Sequence, residues 1–258
     1  MFADKIKITF LGTGTSQGVP VIACNCEVCT SQNPFDKRLR TSILVESSTT
    51  TIVIDAGPDF RQQLLKNKVS KLDAVVFTHE HKDHISGLDD VRAFNYVQKK
   101  AIPVYATERV VTALKREYAY IFDNNQYPGI PQIEIVNFDD KKFSIGDIEI
   151  QPIEVLHYKL PVKGFKINNF VYITDANFIN EENKKIIKNA DVLVLNALRH
   201  EAHISHFTYK EALNLAEELN IKKTYLTHIS HQLGTFDSLQ NSLPKNVELA
   251  VDDMQIIL

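Results

Sequence analysis

The sequence has no tryptophan, two methionines and only three cysteines among its 258 residues. All three cysteines fall within Cys24–Cys29, and an odd, clustered set cannot form the dispersed disulfide framework of a secreted domain. No apolar run approaches the ~18 residues of a membrane span. The N-terminal segment MFADKIKITF also lacks the pattern of an export signal. These absences predict a cytoplasmic protein without a membrane segment, whose clustered thiols bind a metal.

The chain also lacks a strong excess of charge of either sign. Its formal net charge is −3, which differs from the basic footprint of a nucleic-acid binder and argues against a nucleic-acid partner. Hydrophobic residues make up 44% of the sequence, enough for a substantial core. The length suits one large α/β unit, so we predict a single domain over residues 1–258.

Short β-type runs alternate with helical spacing along the chain. Ile43–Val45 and Thr51–Ile54 flank a polar turn and predict a hairpin. The last two runs, Val247–Val251 and Met254–Leu258, suggest a final pair of strands. Thr208, with Glu211 three residues later, is typical of the capping box at a helix N-terminus. Early hairpins followed by strand–helix alternation predict mixed sheets with helices outside them.

Four candidate metal ligands lie within six residues, directly after the apolar run Ala74–Phe77. They are His79, His81, Asp83 and His84. Neutral imidazoles suit zinc, iron or manganese, and carboxylates add the charge that holds a second cation. The alternative is a polar, solvated loop. Three histidines beside an aspartate, all following a buried strand, favour the metal site.

This His-x-His-x-Asp-His pattern resembles the signature of the metallo-β-lactamase superfamily. The rest of that family's pattern is present in order along the chain, each residue at the end of a strand-like run: Asp55 before this motif, and His157, Asp175 and His228 after it. The resemblance implies an α/β fold, a four-layer αββα sandwich of two mixed β-sheets with helices on the outer faces. It further implies a metal-dependent hydrolase.

The resemblance also implies a dinuclear site with two divalent ions, zinc or manganese. One ion would be held by His79, His81 and His157, the other by Asp83, His84 and His228, with Asp175 as the bridge. Two such cations can share a hydroxide that attacks a phosphoryl or acyl group. Asp55 is interpreted as a residue that orients a ligand, and a simple turn-capping role stays equally open.

The cysteine loop at about residues 24–29 offers three thiolates, from Cys24, Cys26 and Cys29. A structural zinc requires a closed tetrahedral shell, so a fourth ligand is missing. His231 is the candidate, because it follows the predicted ligand His228 by three residues and can face the other way. The alternative is three buried, inert thiols.

Two further segments, Gly12–Pro20 and Leu226–Gln232, narrow the resemblance to the phosphoribosyl 1,2-cyclic phosphate phosphodiesterase branch. That family hydrolyses cyclic phosphodiesters and carries a structural zinc of the Cys3His type. The resemblance implies a small-molecule phosphodiester substrate, attacked by a metal-bound hydroxide. It assigns catalytic roles to Asp83 and to His206, which would reach the phosphate or the leaving group; for His206 a surface position is the alternative.

Other functions stay open on the sequence alone. The same fold serves RNA-processing nucleases and hydrolases of thioesters, lactones or lactams, although the chain lacks the long basic arm of the RNA-processing relatives. A third functional hypothesis is a non-catalytic, metabolite-binding protein. A homodimer is also possible. Four residues near the motifs have no assigned role: His200, His203, Arg92 and Arg199.

Overall fold

Two seven-stranded sheets dominate the computed structural model, which describes residues 5–123 and 128–258. From edge to edge the first sheet contains β14 (Gln255–Ile257), β1 (Lys7–Gly12), β2 (Ser42–Glu46), β3 (Thr51–Ile54), β4 (Ala74–Val76), β5 (Ile102–Ala106) and β6 (Ile133–Asn137). The second contains β13 (Val247–Leu249), β12 (Lys223–Thr227), β11 (Val192–Asn196), β10 (Phe170–Ile173), β9 (Leu160–Ile167), β8 (Ile148–His157) and β7 (Phe143–Ile145).

Both sheets are mixed, and both change from antiparallel to parallel pairing part-way across. In the first sheet the pairs from β14 to β3 are antiparallel and those from β3 to β6 are parallel. In the second the pairs from β7 to β10 are antiparallel and those from β10 to β13 are parallel. The parallel strands therefore end together at one edge of each sheet.

The helices lie between these strands in the chain. They are α1 (Glu27–Thr30), α2 (Phe60–Lys66), α3 (Lys82–Ile85), α4 (Arg92–Gln98), α5 (Glu108–Glu117), α6 (Ala119–Phe122), α7 (Glu181–Ile187), α8 (Tyr209–Glu218) and α9 (Phe236–Gln240). The predicted capping box begins α8: the Glu211 amide donates to Thr208 Oγ1 (3.2 Å), and the Thr208 amide donates to Glu211 Oε2 (2.8 Å). Within the described ranges no helix is long and apolar enough to cross a membrane.

Alternating side chains on the strands produce three apolar layers. On β2, Ile43 and Val45 point between the two sheets, where they meet Phe165 and Tyr172 of the second sheet. Leu44 points the other way, towards the helices that cover the first sheet. A third layer separates the second sheet from α7, α8 and α9. Because side chains alternate along a strand, each sheet buries both faces, and the result is a four-layer αββα sandwich.

The predicted fold class is confirmed, and so is the β2–β3 hairpin. The predicted final pair is wrong: β13 joins the second sheet and β14 joins the first. Two strands were not predicted, β7 and β9. Pro161 and Gly164 interrupt β9, and its glycine is required because a Cβ there would lie 2.7 Å from Ile173 Cγ1. Proline and glycine are uncommon inside strands, so the sequence pattern does not indicate β9. Its extended conformation is imposed by the neighbouring strands in the sheet.

Candidate metal centre and active site

The predicted metal ligands all follow strand ends on the same edge of the sandwich. His79 comes shortly after β4, and His157 is the last residue of β8. Asp175 follows β10 after one residue, and His228 directly follows β12. Strands that run in the same direction end at a common edge, so four distant segments deliver their side chains to one place.

The first predicted ligand set is compact. One nitrogen from each of His79, His81 and His157 lies within 4.8 Å of the others. His79 Nε2 is 3.0 Å from His81 Nδ1 and 3.9 Å from the Oδ2 atom of Asp175. Three imidazoles at this spacing, with a carboxylate next to them, form a donor set that suits one divalent cation.

The second predicted set meets the first at Asp175. The Nδ1 atom of His228 lies 3.1 Å from Asp175 Oδ1, and His84 Nε2 lies 3.5 Å from the same oxygen. Asp83 completes the set, with its Oδ2 atom 3.1 Å from His84 Nε2. The seven side chains converge, with Asp175 facing both sets. Their assignment as metal ligands, and Asp83 as a catalytic residue, stays a prediction.

The chemistry of these donors fits divalent cations. His84 Nε2 and His228 Nε2 are buried and have no hydrogen-bond partner within the described part of the chain. Buried polar atoms are rarely left unpaired, and a cation would satisfy both. Burial, followed by the neighbouring His84, holds the pKa of His79 well below its usual value. His79 is therefore neutral, which is the form that binds a metal.

Hydrogen bonds to Nδ1, the ring nitrogen that faces away from the centre, orient three of the predicted ligands. Asp55, which is fully buried, lies 2.8 Å from His84 Nδ1 and accepts from the Thr78 amide at 2.9 Å. Thr78 Oγ1 contacts His79 Nδ1 at 2.9 Å, and His157 Nδ1 lies 2.8 Å from the Ser205 carbonyl. With Nδ1 held in this way, Nε2 of each ring is left for the metal. The contact to His84 favours an orienting role for Asp55.

Two residues of the site have left-handed backbone conformations. Asp55 has φ +67° and His228 has φ +54°, each directly after a strand. Such conformations cost on the order of 1–3 kcal/mol in residues other than glycine and concentrate at functional sites. Here they turn the chain abruptly, so that the first residue after each strand points its side chain into the centre.

His206 lies in the centre of the cluster, with its Nδ1 atom 3.9 Å from Asp175 Oδ2. Its ring stacks on that of His228 at a centroid distance of 4.7 Å, and the side chain is only 9% exposed. The surface alternative is therefore wrong. Burial, with a further contribution from His228, lowers the pKa of His206 to about 2. His203 packs against His206 at 5.1 Å but does not belong to a ligand set.

A family model described as the β-lactamase superfamily domain matches residues 50–229, which include every predicted ligand of this centre. The chain belongs to the metallo-β-lactamase superfamily. It is accordingly a metal-dependent hydrolase, and the ordered motif, the αββα fold and the clustered ligands are features of one family.

Individual relatives refine this assignment. A crystal structure of a diphosphatase from the PhnP family is 36% identical, with a TM-score of 0.93, and the match covers 98% of this chain and 97% of that one. This likeness confirms the resemblance to the phosphodiesterase branch. An octanoyltransferase of Porphyromonas gingivalis is 35% identical over 98% of this chain, which spans only about half (52%) of that protein. The exodeoxyribonuclease WalJ of Streptococcus pneumoniae is 25% identical over 74% of this chain and 78% of its own length.

A second donor set of this superfamily member lies outside the predicted dinuclear centre. Sulfur atoms of Cys24 and Cys26 each lie 3.3 Å from His231 Nδ1, and Cys29 Sγ accepts from the Val21 amide at 3.3 Å. The three sulfurs and Nδ1 lie within 4.8 Å of one another. A tetrahedral zinc with bonds of ~2.3 Å to sulfur separates its ligands by roughly 3.5–3.8 Å, so this set fits one structural zinc.

The cysteines differ in their electrostatic surroundings. The Cys29 amide and then His231 lower the pKa of Cys26 to about 6, so its thiolate forms readily. Burial raises the pKa of Cys29 to about 11, which a bound cation would reverse by stabilising the thiolate. The reading of these residues as inert thiols does not account for a histidine nitrogen directed between two sulfurs.

The remaining unassigned residues brace loops. Arg199 Nη1 donates to Gln232 Oε1 at 2.9 Å, and Arg92 lies 3.7 Å from the Asp89 carboxylate. The ring of His200 packs against an aromatic ring of α8 at 5.2 Å. Among the described residues, neither arginine forms a hydrogen bond or ion pair with a predicted metal ligand, so neither is assigned to the active site.

Proposed function

We propose that this superfamily member is a dinuclear phosphodiesterase that cleaves a small cyclic phosphodiester, of the phosphoribosyl cyclic phosphate type. The observation that carries the proposal is the position of Asp175. One carboxylate oxygen lies near His79 and the other near His84 and His228, so a single residue faces both ligand sets. A carboxylate that faces both sets would let the site hold two cations that act on one phosphoryl group.

The two cations, zinc or manganese, would supply charge that acidifies a water molecule and neutralises phosphoryl oxygens. The protein residues hold that arrangement in place. Burial alone would raise the pKa of Asp83, but its interaction with His84 holds it below its usual value. Asp83 therefore stays an anion at the second set and can accept a hydrogen bond from the attacking water.

His206 is proposed to act on the leaving group. Hydrolysis forms a bond from phosphorus to a water oxygen and breaks the bond to the leaving oxygen, which takes up the proton that the attacking water loses. Since the lowered pKa keeps His206 neutral, its ring carries one N–H. We assign that N–H as a hydrogen-bond donor to the leaving oxygen, instead of a permanently charged imidazolium.

The likeness to the PhnP-family diphosphatase supports phosphorus as the reacting centre, because it extends over nearly the whole of both chains. Two alternatives have support from other relatives. The likeness to an exodeoxyribonuclease favours a nucleic-acid substrate. The likeness to half of an octanoyltransferase is the reason to test a thioester.

The experiment is an assay panel on protein of measured metal content. The substrates are ribose 1,2-cyclic phosphate, methyl p-nitrophenyl phosphate, single-stranded DNA, precursor tRNA and an octanoyl thioester. We expect turnover of the first two with two active-site equivalents of metal. Turnover confined to the thioester would overturn the phosphodiesterase assignment, and full metal loading without any turnover would favour a binding protein.

The role of His206 has its own test. A p-nitrophenolate ion leaves without help, whereas the more basic sugar alkoxide needs a hydrogen bond that stabilises its developing charge. We therefore expect His206→Ala to lower kcat on the order of 10²–10⁴-fold for the ribose cyclic phosphate and much less for methyl p-nitrophenyl phosphate. An equal loss with both substrates would contradict a leaving-group role and leave His206 as a phosphate-binding residue.

A further inference from the structure

A cleft of about 520 Å³ opens beside the first ligand set. Its walls include the predicted metal ligands His81 and His157, together with Arg109, Tyr158, Lys159 and Ile204. The volume falls in the range of ligand-binding pockets, roughly 300–1,000 Å³. A substrate phosphate held at the metals would therefore extend its remaining part into this space.

The charge of the cleft favours an anion. Lys159 contributes one cation, and Arg109 contributes a second, which is paired with Glu80 at the edge of the lining. The Nε atom of Arg109 donates to Glu80, which holds the guanidinium at the rim. Its terminal nitrogens have no protein partner within the described ranges, and they suit a second phosphate.

The cleft also presents a flat apolar surface. The Tyr158 ring is 48% exposed and Ile204 is 63% exposed. Lys159 Nζ lies 5.3 Å from the centroid of the Tyr158 ring, so a cation and an aromatic face are adjacent. Aromatic side chains of this kind stack on nucleobases, and a nearby cation binds the attached phosphate.

The backbone holds Tyr158 in a conformation that tyrosine rarely adopts. Tyr158 and Lys159 form the two-residue turn between β8 and β9, and Tyr158 has φ +60°. Asparagine and glycine are the usual residues at such a position. The Tyr158 amide donates to Asn177 Oδ1 at 2.6 Å, which fixes the turn beside the ligand His157. An aromatic ring is thus kept at the mouth of the active site in spite of its backbone cost.

We propose that this cleft binds the nucleoside part of the substrate, with the base on Tyr158 and a second phosphate between Arg109 and Lys159. The substrate class is then a cyclic phosphodiester of a ribose that also bears a base, with ribose 1,2-cyclic phosphate as its base-free counterpart. This inference rests on the proposed function, which supplies the reacting phosphate, and it extends that function from the metals to the distal part of the substrate.

The test compares ligands that differ in one part. AMP and ribose 5-phosphate share a sugar and a phosphate and differ in the base, and their binding to the metal-loaded protein is measured by calorimetry. We expect AMP to bind at least tenfold more tightly. Tyr158→Asn should reduce this preference to less than about threefold, and Tyr158→Phe should keep it. ADP carries a second phosphate and should bind the wild type more tightly than AMP does. This difference in affinity should be smaller in Lys159→Gln.

Two controls separate recognition from folding. Asparagine tolerates the left-handed conformation, so Tyr158→Asn should melt no lower than the wild type. Tyr96→Asn, at a remote tyrosine that is 58% exposed, should leave the AMP preference and turnover unchanged. A weaker preference in Tyr158→Asn with an unchanged melting temperature therefore reports lost recognition.

The outcomes distinguish the two proposals. Turnover of methyl p-nitrophenyl phosphate with equal binding of AMP and ribose 5-phosphate would overturn the nucleoside cleft alone. Equal competition by octanoate would overturn it as well, since a linear chain cannot stack as a base does. Absence of turnover with any phosphodiester would refute the proposed function, and a Tyr158-dependent preference for AMP would still support a nucleotide site.

Discussion

Replacing Asp55 by asparagine exchanges one buried oxygen for an amide and tests how the second ligand set is oriented. In the wild type one carboxylate oxygen lies 2.8 Å from His84 Nδ1, and the other accepts from the Thr78 amide at 2.9 Å. A carboxylate only accepts, so the His84 proton is held on Nδ1 and Nε2 faces the centre unprotonated. The substitution removes this constraint without changing the volume of the side chain.

The expected loss of metal affinity follows from counting the hydrogen-bond donors around residue 55. If the asparagine oxygen faces His84, its NH2 group meets the Thr78 amide, donor against donor. If the oxygen faces Thr78, the NH2 group meets His84 Nδ1 and favours a proton on Nε2, where it blocks metal binding. Either arrangement costs one buried hydrogen bond, about 1–3 kcal/mol. At ~1.4 kcal/mol per factor of ten, metal affinity at the second set falls about 5- to 150-fold.

The assay is a competitive titration of metal against a chromogenic chelator. We expect Asp55→Asn to weaken the binding of one active-site metal equivalent by this factor. The metal equivalent expected at His79, His81 and His157 should bind as in the wild type. Asp59→Asn is the matched control, because Asp59 bonds Arg40 outside the centre. Wild-type affinity for both equivalents in folded Asp55→Asn protein would refute the proposed orienting role.

Three more outcomes are expected. His81→Ala or Asp175→Ala should abolish phosphodiester turnover with an unchanged circular dichroism spectrum; retained turnover would exclude either residue as a ligand. Cys26→Ser should remove one zinc equivalent and lower the melting temperature, and unchanged zinc stoichiometry would contradict the structural zinc. Burial raises the pKa of Asp252 to about 6, above the ~3.9 expected in the unfolded chain. Its contribution to the free energy of unfolding is therefore present below pH 4 and is lost as pH rises through 6, by at most roughly 3 kcal/mol. Urea unfolding at pH 5 and pH 7.5 should show this loss of stability in the wild type and not in Asp252→Asn.

Much of the candidate centre was accessible from the sequence because four predicted ligands closely follow runs of apolar residues. A buried strand and the polar residue after it are local features, and their order identified the family. His79, His157, Asp175 and His228 were found in this way. The residues that orient them were harder to find. Thr78 has no distinguishing pattern, and its importance comes from contacts to Asp55 and His79 that only the folded chain creates.

The cleft residues could not be predicted for a different reason. Arg109 lies on α5, far along the chain from His157, and an exposed arginine is usually solvated. Tyr158 follows a ligand directly, but the sequence does not show that its φ is positive. The β8–β9 turn that imposes this angle depends on β9, a strand that Pro161 and Gly164 conceal.

The spacing of His228 and His231 links the two donor sets through one turn. After β12 the left-handed conformation of His228 reverses the chain, and Ile229 then pairs with the segment that leads to the cysteines. The Ile229 amide donates to the Thr13 carbonyl at 3.0 Å, and the Thr15 amide donates to the Ile229 carbonyl at 3.1 Å. His228 consequently points to Asp175 while His231 points to the sulfurs. A zinc bound by the cysteines would therefore hold the same short segment that positions His228, a predicted ligand of the dinuclear centre.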